Sequence, residues 1–438
     1  MSYADFLKTK KLKAVTQGPD IDPSDVHPTL HEWQNYLVRW AVRVQRAAIW
    51  ADTGLGKTFM QIELARLSGD TALIVAPLAV CEQTVRQAHT LGHEAKYVRS
   101  GDDITGAGIW VTNYEMVEHF DPEIIDAVVL DESSILKQST GKTRNMLIAH
   151  FSEVPARLAC SATPAPNDPE ELTNQAEFLG HMKRNLMLAA YFVHDQNNNG
   201  GYRLKGHATQ PMMKWMTTWA VALRKPSDIG GQNTGYDLPG LDIRSHLIPV
   251  EIVQEGQLFP TEIGGVSGRA EVRRRTLDAR VARTAELVAS EPDEPWILWC
   301  GMNAEADALE KAIPGAVNVH GSLPPEEKAL LLNDFADGKI RVLITKPSIA
   351  SMGLNWQHCA RVAFVGLGDS YEQYYQAIRR CYRYGQTRVV DVHIVLAEIE
   401  SQIADNVRSK EKKVNVITQG LIKEMANIHN ITKEKISA

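Results

Sequence analysis

The sequence predicts an α/β protein: two parallel-sheet regions in tandem with a partly helical insertion between them. Three observations carry that expectation. Short apolar runs alternate with amphipathic helical stretches through the first part of the chain. The same alternation resumes near Pro295. Between the two, from about His181 to Phe259, the composition turns to Trp, Met, Asn and Gly. Alternating strands and helices bury a parallel sheet under helices on both faces. A chain of 438 residues also exceeds what one ordinary core holds, so two or three domains are expected.

Ala47-Ala48-Ile49-Trp50 reads as the first strand, and Phe59 to Ala65 as the helix it feeds. Further strands are expected at Ala72–Pro77, Gly108–Thr112, Ala127–Leu130 and Arg157–Cys160, with a helix at Val80–His89. In the insertion, Asn197-Asn198-Asn199-Gly200-Gly201 and Gly230-Gly231-Gln232-Asn233 are loop signals. Gly264-Gly265-Val266-Ser267-Gly268 leads into a helix-like stretch, Arg269–Ser290. The second region predicts strands at Trp296–Trp299, Ala316–Val319, Arg341–Thr345, Arg361–Phe364 and Val389–Val395. Its helices are expected at Ala304–Ala312, Pro325–Ala336 and Glu372–Tyr382, and Val416–Ile428 is helical in a polar, lysine-rich tail. The expected boundaries are therefore 1–180, 181–268, 269–408 and 409–438.

Hydrophobic content of 44% and charged content of 23% fit a soluble globular protein. A net charge of -6 does not suggest a chain coated with nucleic acid but allows a local basic track. Cys81, Cys160, Cys300, Cys359 and Cys381 are scattered without a CxxC pair, which argues against zinc sites and disulfides and fits a reducing cytoplasm. Lys8, Lys10, Lys11 and Lys13 precede no apolar segment, so no signal peptide is expected, and no run is long enough for a membrane span.

The chemistry concentrates in three runs. Ala51-Asp52-Thr53-Gly54-Leu55-Gly56-Lys57-Thr58 joins the first strand to its helix, the context a phosphate-binding loop requires. The glycines let backbone N–H groups close on phosphate oxygens at a helix N-terminus. Lys57 is expected on the terminal phosphates and Thr58 on Mg²⁺. Ala127-Val128-Val129-Leu130-Asp131-Glu132 is either a strand ending in a solvated acidic turn or a site where Asp131 holds the metal and Glu132 orients or deprotonates water. Arg379-Arg380-Cys381-Tyr382-Arg383 is expected on a helix, with Arg380 and Arg383 on one face. Such a run is a solvated basic face or a clamp for charge on a transferring phosphoryl group.

In their order, these runs resemble the superfamily-two helicases, most closely their Swi/Snf-like branch of double-stranded DNA translocases, from about Leu30 to Leu396. Leu30-His31-Glu32-Trp33-Gln34 resembles the glutamine motif that reads adenine, through Gln34. Ala51 to Thr58 is similar to motif I, with Thr53, Gly54, Leu55, Gly56, Lys57 and Thr58 around the nucleotide. Val75-Ala76-Pro77-Leu78 resembles motif Ia, Val111-Thr112-Asn113-Tyr114-Glu115 the next nucleic-acid-facing motif, Asp131-Glu132-Ser133-Ser134 motif II, and Ser161-Ala162-Thr163-Pro164 motif III. His320-Gly321 resembles an element beside motif IV, and Thr345 to Asn355, with Gly353, resembles motif V. Gln376, Arg380, Arg383 and Gly385-Gln386 resemble motif VI. The run Ala222-Leu223-Arg224-Lys225-Pro226 with Leu238-Pro239 resembles the lead into the second lobe. Two positions depart from the pattern: Ser133-Ser134 stands where eukaryotic remodellers usually carry a histidine, and Arg379 where the family often has glycine.

The resemblance implies two RecA-like lobes with ATP and Mg²⁺ in the cleft. The first lobe supplies Gln34, the phosphate loop, Asp131 and Glu132, and the second supplies Gln376, Arg380 and Arg383. It implies DNA, duplex favoured, along Pro77, Thr112, Asn113, Thr163 and Thr345, with contacts largely blind to sequence. A compact form of this kind is similar to helicases of bacteriophages and mobile elements, acting in replication, recombination or defence. It implies a monomer in the cytoplasm of a bacterial or phage-infected cell, with a nuclease or replication protein as a possible partner. Competing readings are a strand-separating DNA or RNA helicase, a platform that uses ATP as a switch, and the motor subunit of a nuclease or restriction-like assembly. Arg269 and Arg273-Arg274-Arg275 either brace a DNA backbone or form a solvated helix face. Lysines 410, 412 and 413 read as solvent-facing. Trp33, Trp215, Trp219 and Trp356 read as packing residues before base-stacking ones, and His194 and His207 as polar loop residues before metal ligands.

Overall fold

A computed structural model describes residues 18–195, 201–249, 272–350, 355–368 and 370–436. The expectations placed on Lys8, Lys10, Lys11, Lys13, Asn197 to Gly200, Gly264 to Gly268, Arg269 and Gly353 lie outside the described residues. The chain divides into two compact units, 1–234 with 412–438, and 235–411.

The first unit is built on a seven-stranded, all-parallel sheet. Its strands are β1 (Arg46–Ala51), β2 (Thr71–Ala76), β3 (Ala95–Tyr97), β4 (Gly108–Asn113), β5 (Ala127–Asp131) and β6 (Ala156–Cys160), followed, after a small hairpin, by β9 (Ala220–Leu223). The hairpin pairs β7 (Phe192–His194) antiparallel with β8 (Tyr202–Leu204). The sheet order is β3-β4-β2-β5-β6-β1-β9. Strands β1, β2 and β4–β6 read as near-continuous apolar runs because both faces of a parallel sheet are covered. Strand β9 was not expected: it lies in the segment read as an insertion, yet it pairs with β1 from Ala48↔Ala220 to Ala51↔Leu223. The Asp52 N–H then bonds the Leu223 carbonyl at 3.0 Å, so this edge strand holds the start of the phosphate loop.

The second unit carries a six-stranded parallel sheet in the order β10-β15-β14-β11-β13-β12. Its strands are β10 (Leu241–Ile248), β11 (Trp296–Cys300), β12 (Ala316–Val319), β13 (Val342–Thr345), β14 (Arg361–Val365) and β15 (Val390–Ala397). Trp296, Leu298, Cys300, Ile344, Ala363 and Val365 pack beneath Val281, Leu309 and Ile313 of two covering helices, Leu277–Ser290 and Asn303–Ala312. Helix Ser401–Ile436 belongs to this unit through residue 411 and to the first unit from Lys412. In the first unit, Lys413 Nζ meets Asp168 Oδ1 at 2.6 Å, an ion pair at a lysine expected to face solvent.

The carboxyl edge of the second sheet is held by buried ions. Arg280, fully buried, donates to Glu305 Oε1 at 2.6 Å and to the Arg273 carbonyl at 2.7 Å. Glu305 Oε2 accepts the Gly301 and Met302 N–H groups at the end of β11. Arg273 Nε donates to buried Glu400 at 2.6 Å, and its Nη2 to the Leu367 carbonyl. Arg273 is therefore a structural ion beside exposed Arg274 and Arg275, not part of a uniform arginine face. Arg280→Met leaves Glu305 buried without its partner, which costs about 3–5 kcal/mol. Its expected outcome is faster amide exchange across Trp296–Cys300 in urea, with much of the loss recovered in Arg280→Met/Glu305→Met.

Candidate functional site

The loop after β1 turns on two left-handed glycines, Gly54 (φ 84°) and Gly56 (φ 69°), and Gly56 caps helix Lys57–Ser68. Only glycine adopts these angles without strain. Lys57 Nζ closes the loop on the carbonyls of Ala51 (2.9 Å) and Asp52 (3.2 Å). The Thr53 N–H is drawn to Asp52 Oδ1 at 2.6 Å. Leu55 is buried beneath the loop, and Thr58 is half-buried in the first helical turn.

Gln34, from the third position of helix Glu32–Val44, is buried against this loop. Its Nε2 donates to the Leu55 carbonyl at 3.0 Å, and its Oε1 accepts the His31 N–H at 2.9 Å. A Cβ on Gly56 would lie 2.4 Å from Gln34 Nε2 and displace that amide, and the left-handed angle itself favours glycine. Expected to read adenine, Gln34 in this structure braces the phosphate loop.

Strand β6 separates β1 from β5, so the loop and the acidic pair are not strand neighbours. One side chain joins them. Gln61, one turn beyond Lys57 and fully buried, donates to Asp131 Oδ1 at 2.7 Å. Burial pushes the Asp131 carboxyl up from its ordinary range, while the Gln61 bond and the Lys57 charge pull it back down. The Tyr114 hydroxyl donates to the Asp131 carbonyl at 2.5 Å. Gln61 was missed in the sequence; its only local signal is its place on the helix face of Lys57, four residues on.

Glu132 adopts the left-handed region at φ 53°, one of two described non-glycine residues with positive φ. That conformation costs about 1 kcal/mol or more and turns the chain sharply from β5 into the 3-10 turn Ser133–Lys137. The Ser161 hydroxyl lies 3.3 Å from Glu132 Oε2 and accepts the Thr163 N–H at 3.1 Å. Motif III thus touches the acid through Ser161. Ser133 and Ser134 are buried, and the Ser133 carbonyl takes the Gln175 amide at 2.9 Å.

The residues expected to face nucleic acid sit at the carboxyl ends of strands, but their side chains are largely engaged inside. The Thr112 hydroxyl donates to the Val98 carbonyl at 2.8 Å, and Thr345 repeats the bond to Val319 at 2.8 Å. Both are buried, as is Thr163, so none of the three presents a hydroxyl at the surface. Asn113 accepts the Tyr97 hydroxyl at 2.8 Å and donates to Glu115. Pro77 is half-buried where β2 gives way to helix Leu78–Thr90. In the second unit, a cavity lies beyond β12 and β13, lined by Asn303, His320, Ser322, Lys346, Ser348 and Ile349 among others.

Arg380 and Arg383 do not share a helix face. Helix Tyr371–Ile378 carries Gln376 and ends before them. The carbonyl of Arg380 accepts the Trp356 N–H at 2.9 Å, and Gln386 Nε2 binds the carbonyls of Cys359 (3.1 Å) and Cys381 (3.2 Å). These tertiary bonds draw the chain into a turn that closes at Gly385 (φ 88°). Arg379 stacks its guanidinium between the Tyr375 and Tyr382 rings, 5.0 Å from each centroid, which gives the departing residue a structural place. Burial lowers the Arg383 pKa, opposed by Cys381.

Trp219 and Trp356 are fully buried in aromatic clusters, Trp33 is buried, and Trp215 stacks on Tyr191. All five cysteines are buried free thiols. Among the described residues no three His, Cys, Asp or Glu side chains converge to hold a metal ion, and no helix is long and apolar enough to cross a membrane.

Residues 279–385 match the helicase conserved C-terminal domain. The chain is 21% identical over 86% of its length to the DNA annealing helicase and endonuclease ZRANB3 of Mus musculus, covering 39% of that protein. It is 22% identical over 41% of its length to the chromatin-remodeling ATPase INO80 of Lodderomyces elongisporus, covering 12% of it. Over 24% of its length it is 29% identical to the ATP-dependent RNA helicase FAL1 of Kluyveromyces lactis, covering 29% of that protein. The chain therefore spans well under half the length of each of these relatives. Among solved structures it is similar to the Sulfolobus solfataricus SWI2/SNF2 ATPase core in complex with dsDNA, with a TM-score of 0.44 and 16% identity, covering 95% of this chain and 98% of that one.

Proposed function

We propose that this chain, whose ordered motifs resemble the Swi/Snf-like branch of superfamily-two helicases and which matches the helicase conserved C-terminal domain over residues 279–385, hydrolyses ATP to drive movement along DNA, duplex in preference to single strands. The observation that carries the reading is the joining of motifs I, II and III: Gln61 links the phosphate-loop helix to Asp131, and Ser161 links Glu132 to motif III.

In this reading the backbone of Thr53 to Lys57 cradles phosphate, and Lys57 moves from its two carbonyls onto the terminal phosphates. The Thr58 hydroxyl and Asp131 are hard oxygen donors, a set that fits Mg²⁺ completed by water and phosphate. The ion, when bound, neutralises charge on the phosphates. Glu132 orients or deprotonates the attacking water. Gln376, Arg380 and Arg383 of the second unit stabilise charge on the transferring group during turnover. The backbone at Pro77, Asn113 and Thr163, and around Thr345, contacts DNA phosphates. The setting we propose is replication, recombination or defence of a phage or mobile element, in the cytoplasm, with the chain acting as a monomer or beside a nuclease.

The test compares ATP turnover with duplex DNA, single-stranded DNA and RNA. Duplex DNA is expected to stimulate most; equal rates with and without every nucleic acid would refute the reading. Arg380→Ala is expected to keep nucleotide binding and lose roughly 10³-fold in turnover. Gln61→Leu removes a bond that orients the metal-binding carboxylate. It is expected to raise the Mg²⁺ concentration for half-maximal nucleotide binding about tenfold or more, read by fluorescent-nucleotide titration.

A further inference from the structure

We propose that the first unit binds a phosphate-class oxyanion at the amino edge of its sheet, between Arg46 of β1 and Arg157 of β6.

Register brings the two charges together. Arg46 opens β1, Arg157 is the second residue of β6, and the two are direct partners in the parallel pairing. Partners in register leave the same face of a sheet. Gly180 (φ 76°) marks where the side chains converge: a Cβ there would lie 2.5 Å from Arg157 Nη2 and 2.9 Å from Arg46 Nη1. Gly180 is exposed, so the two guanidiniums meet beside solvent. The other ends of these strands lead into the phosphate loop and into Ser161, so the arginines sit at the opposite edge from the nucleotide loop.

Little in the protein offsets this pair. Arg157 is 4% exposed. Its Nη1 donates to the carbonyl of Phe178, the last residue of helix Leu172–Phe178, at 2.8 Å. Its Nε is buried without a hydrogen-bond partner. Half-buried Arg46 turns its Nε toward the Pro155 carbonyl at 3.4 Å. Burial, and then the charge of Arg46, lower the Arg157 pKa to about 10, and exposed Glu153 pulls the other way without reaching ion-pair contact. Two like charges held this close, one of them inside the protein, repel at a cost that an anion between them removes.

His181 borders the pair and adds no third cation. Its Nε2 donates to the Arg46 carbonyl at 2.7 Å, and its ring stacks on Trp219 with centroids 5.0 Å apart. Burial chiefly, with the two arginines, lowers its pKa to about 4, so the ring is neutral at pH 7. The ligand class follows from the donors. Guanidiniums are planar forks that match an oxyanion carrying several acceptor oxygens, which a spherical halide does not offer. Free phosphate and a backbone phosphate of nucleic acid share that chemistry.

The experiment follows the His181 imidazole by NMR, assigned through His181→Gln, in full-length Lys57→Ala protein, where the loop after β1 has lost its cation. Sodium phosphate is titrated against sodium chloride at matched ionic strength. Phosphate is expected to move the His181 resonances saturably, and chloride to leave them in place. Arg46→Ala is expected to raise the half-saturating phosphate concentration about tenfold or more. Arg46→Lys, which keeps the charge and loses the fork, is expected to fall between. Arg46→Glu places a carboxylate beside Arg157 and is expected to abolish the response. Arg157 is left unchanged, because its bond to Phe178 supports the fold. A short blunt duplex DNA is the second titrant. Movement of the same resonances, reversed by phosphate, identifies a backbone phosphate as the source; movement with inorganic phosphate alone identifies the free ion. No His181 response to either titrant, or an Arg46→Ala response equal to that of its parent, overturns the site. Neither failure touches the nucleotide reading, since Lys57 is absent throughout.

Discussion

Lys57→Ala is expected to reduce ATP turnover roughly 10²–10³-fold, with DNA present or absent. The lysine is the one cation the phosphate loop itself supplies. In this structure its ammonium rests on the carbonyls of Ala51 and Asp52, and in the proposed reading it exchanges them for phosphate oxygens. Alanine at 57 preserves the helix start and the two left-handed glycines, so the fold persists and the loss is chemical. The check is steady-state turnover together with a melting curve. Full turnover in a folded Lys57→Ala protein would sink the assignment of this loop to the nucleotide.

Glu132→Gln is expected to leave nucleotide affinity near wild type and to lower turnover roughly 10²–10⁴-fold. Glutamine keeps the shape, the backbone turn and the bond with Ser161 but cannot take a proton. A parallel variant exposes the strain held at this position. Glu132 occupies the left-handed region, which glycine enters freely. Glu132→Gly is therefore expected to gain about 1 kcal/mol in stability from the backbone, less the lost Ser161 bond, while losing turnover. A protein tolerates such strain where function requires it. Urea midpoints and turnover, measured on both variants, check the two halves together; a Glu132→Gly protein that is both less stable and fully active contradicts both.

The predicted core strands match the structure because their signal is local. Ala47–Trp50, Ala127–Leu130 and Trp296–Trp299 are apolar runs closed by turn residues, and a doubly covered parallel sheet asks for nothing else. The phosphate loop and the acid pair were legible for a similar reason: glycine spacing and consecutive acids are properties of contiguous chain. What escaped was non-local. Strand β10, Leu241–Ile248, carries Asp242, Arg244 and His246 at alternate positions, as an edge strand does, and its pairing with β15 spans nearly 150 residues. Strand β9 is only four residues long and gains its place by pairing with β1.

The same division runs through the site. Thr112 and Thr345 were expected along the nucleic acid, and only the sheet shows where their hydroxyls go, to the carbonyls of Val98 and Val319. Arg380 and Arg383 were expected on one helix face, and only the bonds from Trp356 and Gln386 end that helix at Ile378. Gln61 and Arg273 were an unremarked residue and a member of a basic run until Asp131 and Glu400 were seen beside them. By itself, the amino-acid sequence determined the class of fold, the order of the chemical runs and the residue types they hold, since backbone propensity, periodicity and spacing act over a few residues. Tertiary structure alone decided which polar side chains are satisfied internally and which remain for a ligand, because that depends on groups brought together from distant parts of the chain.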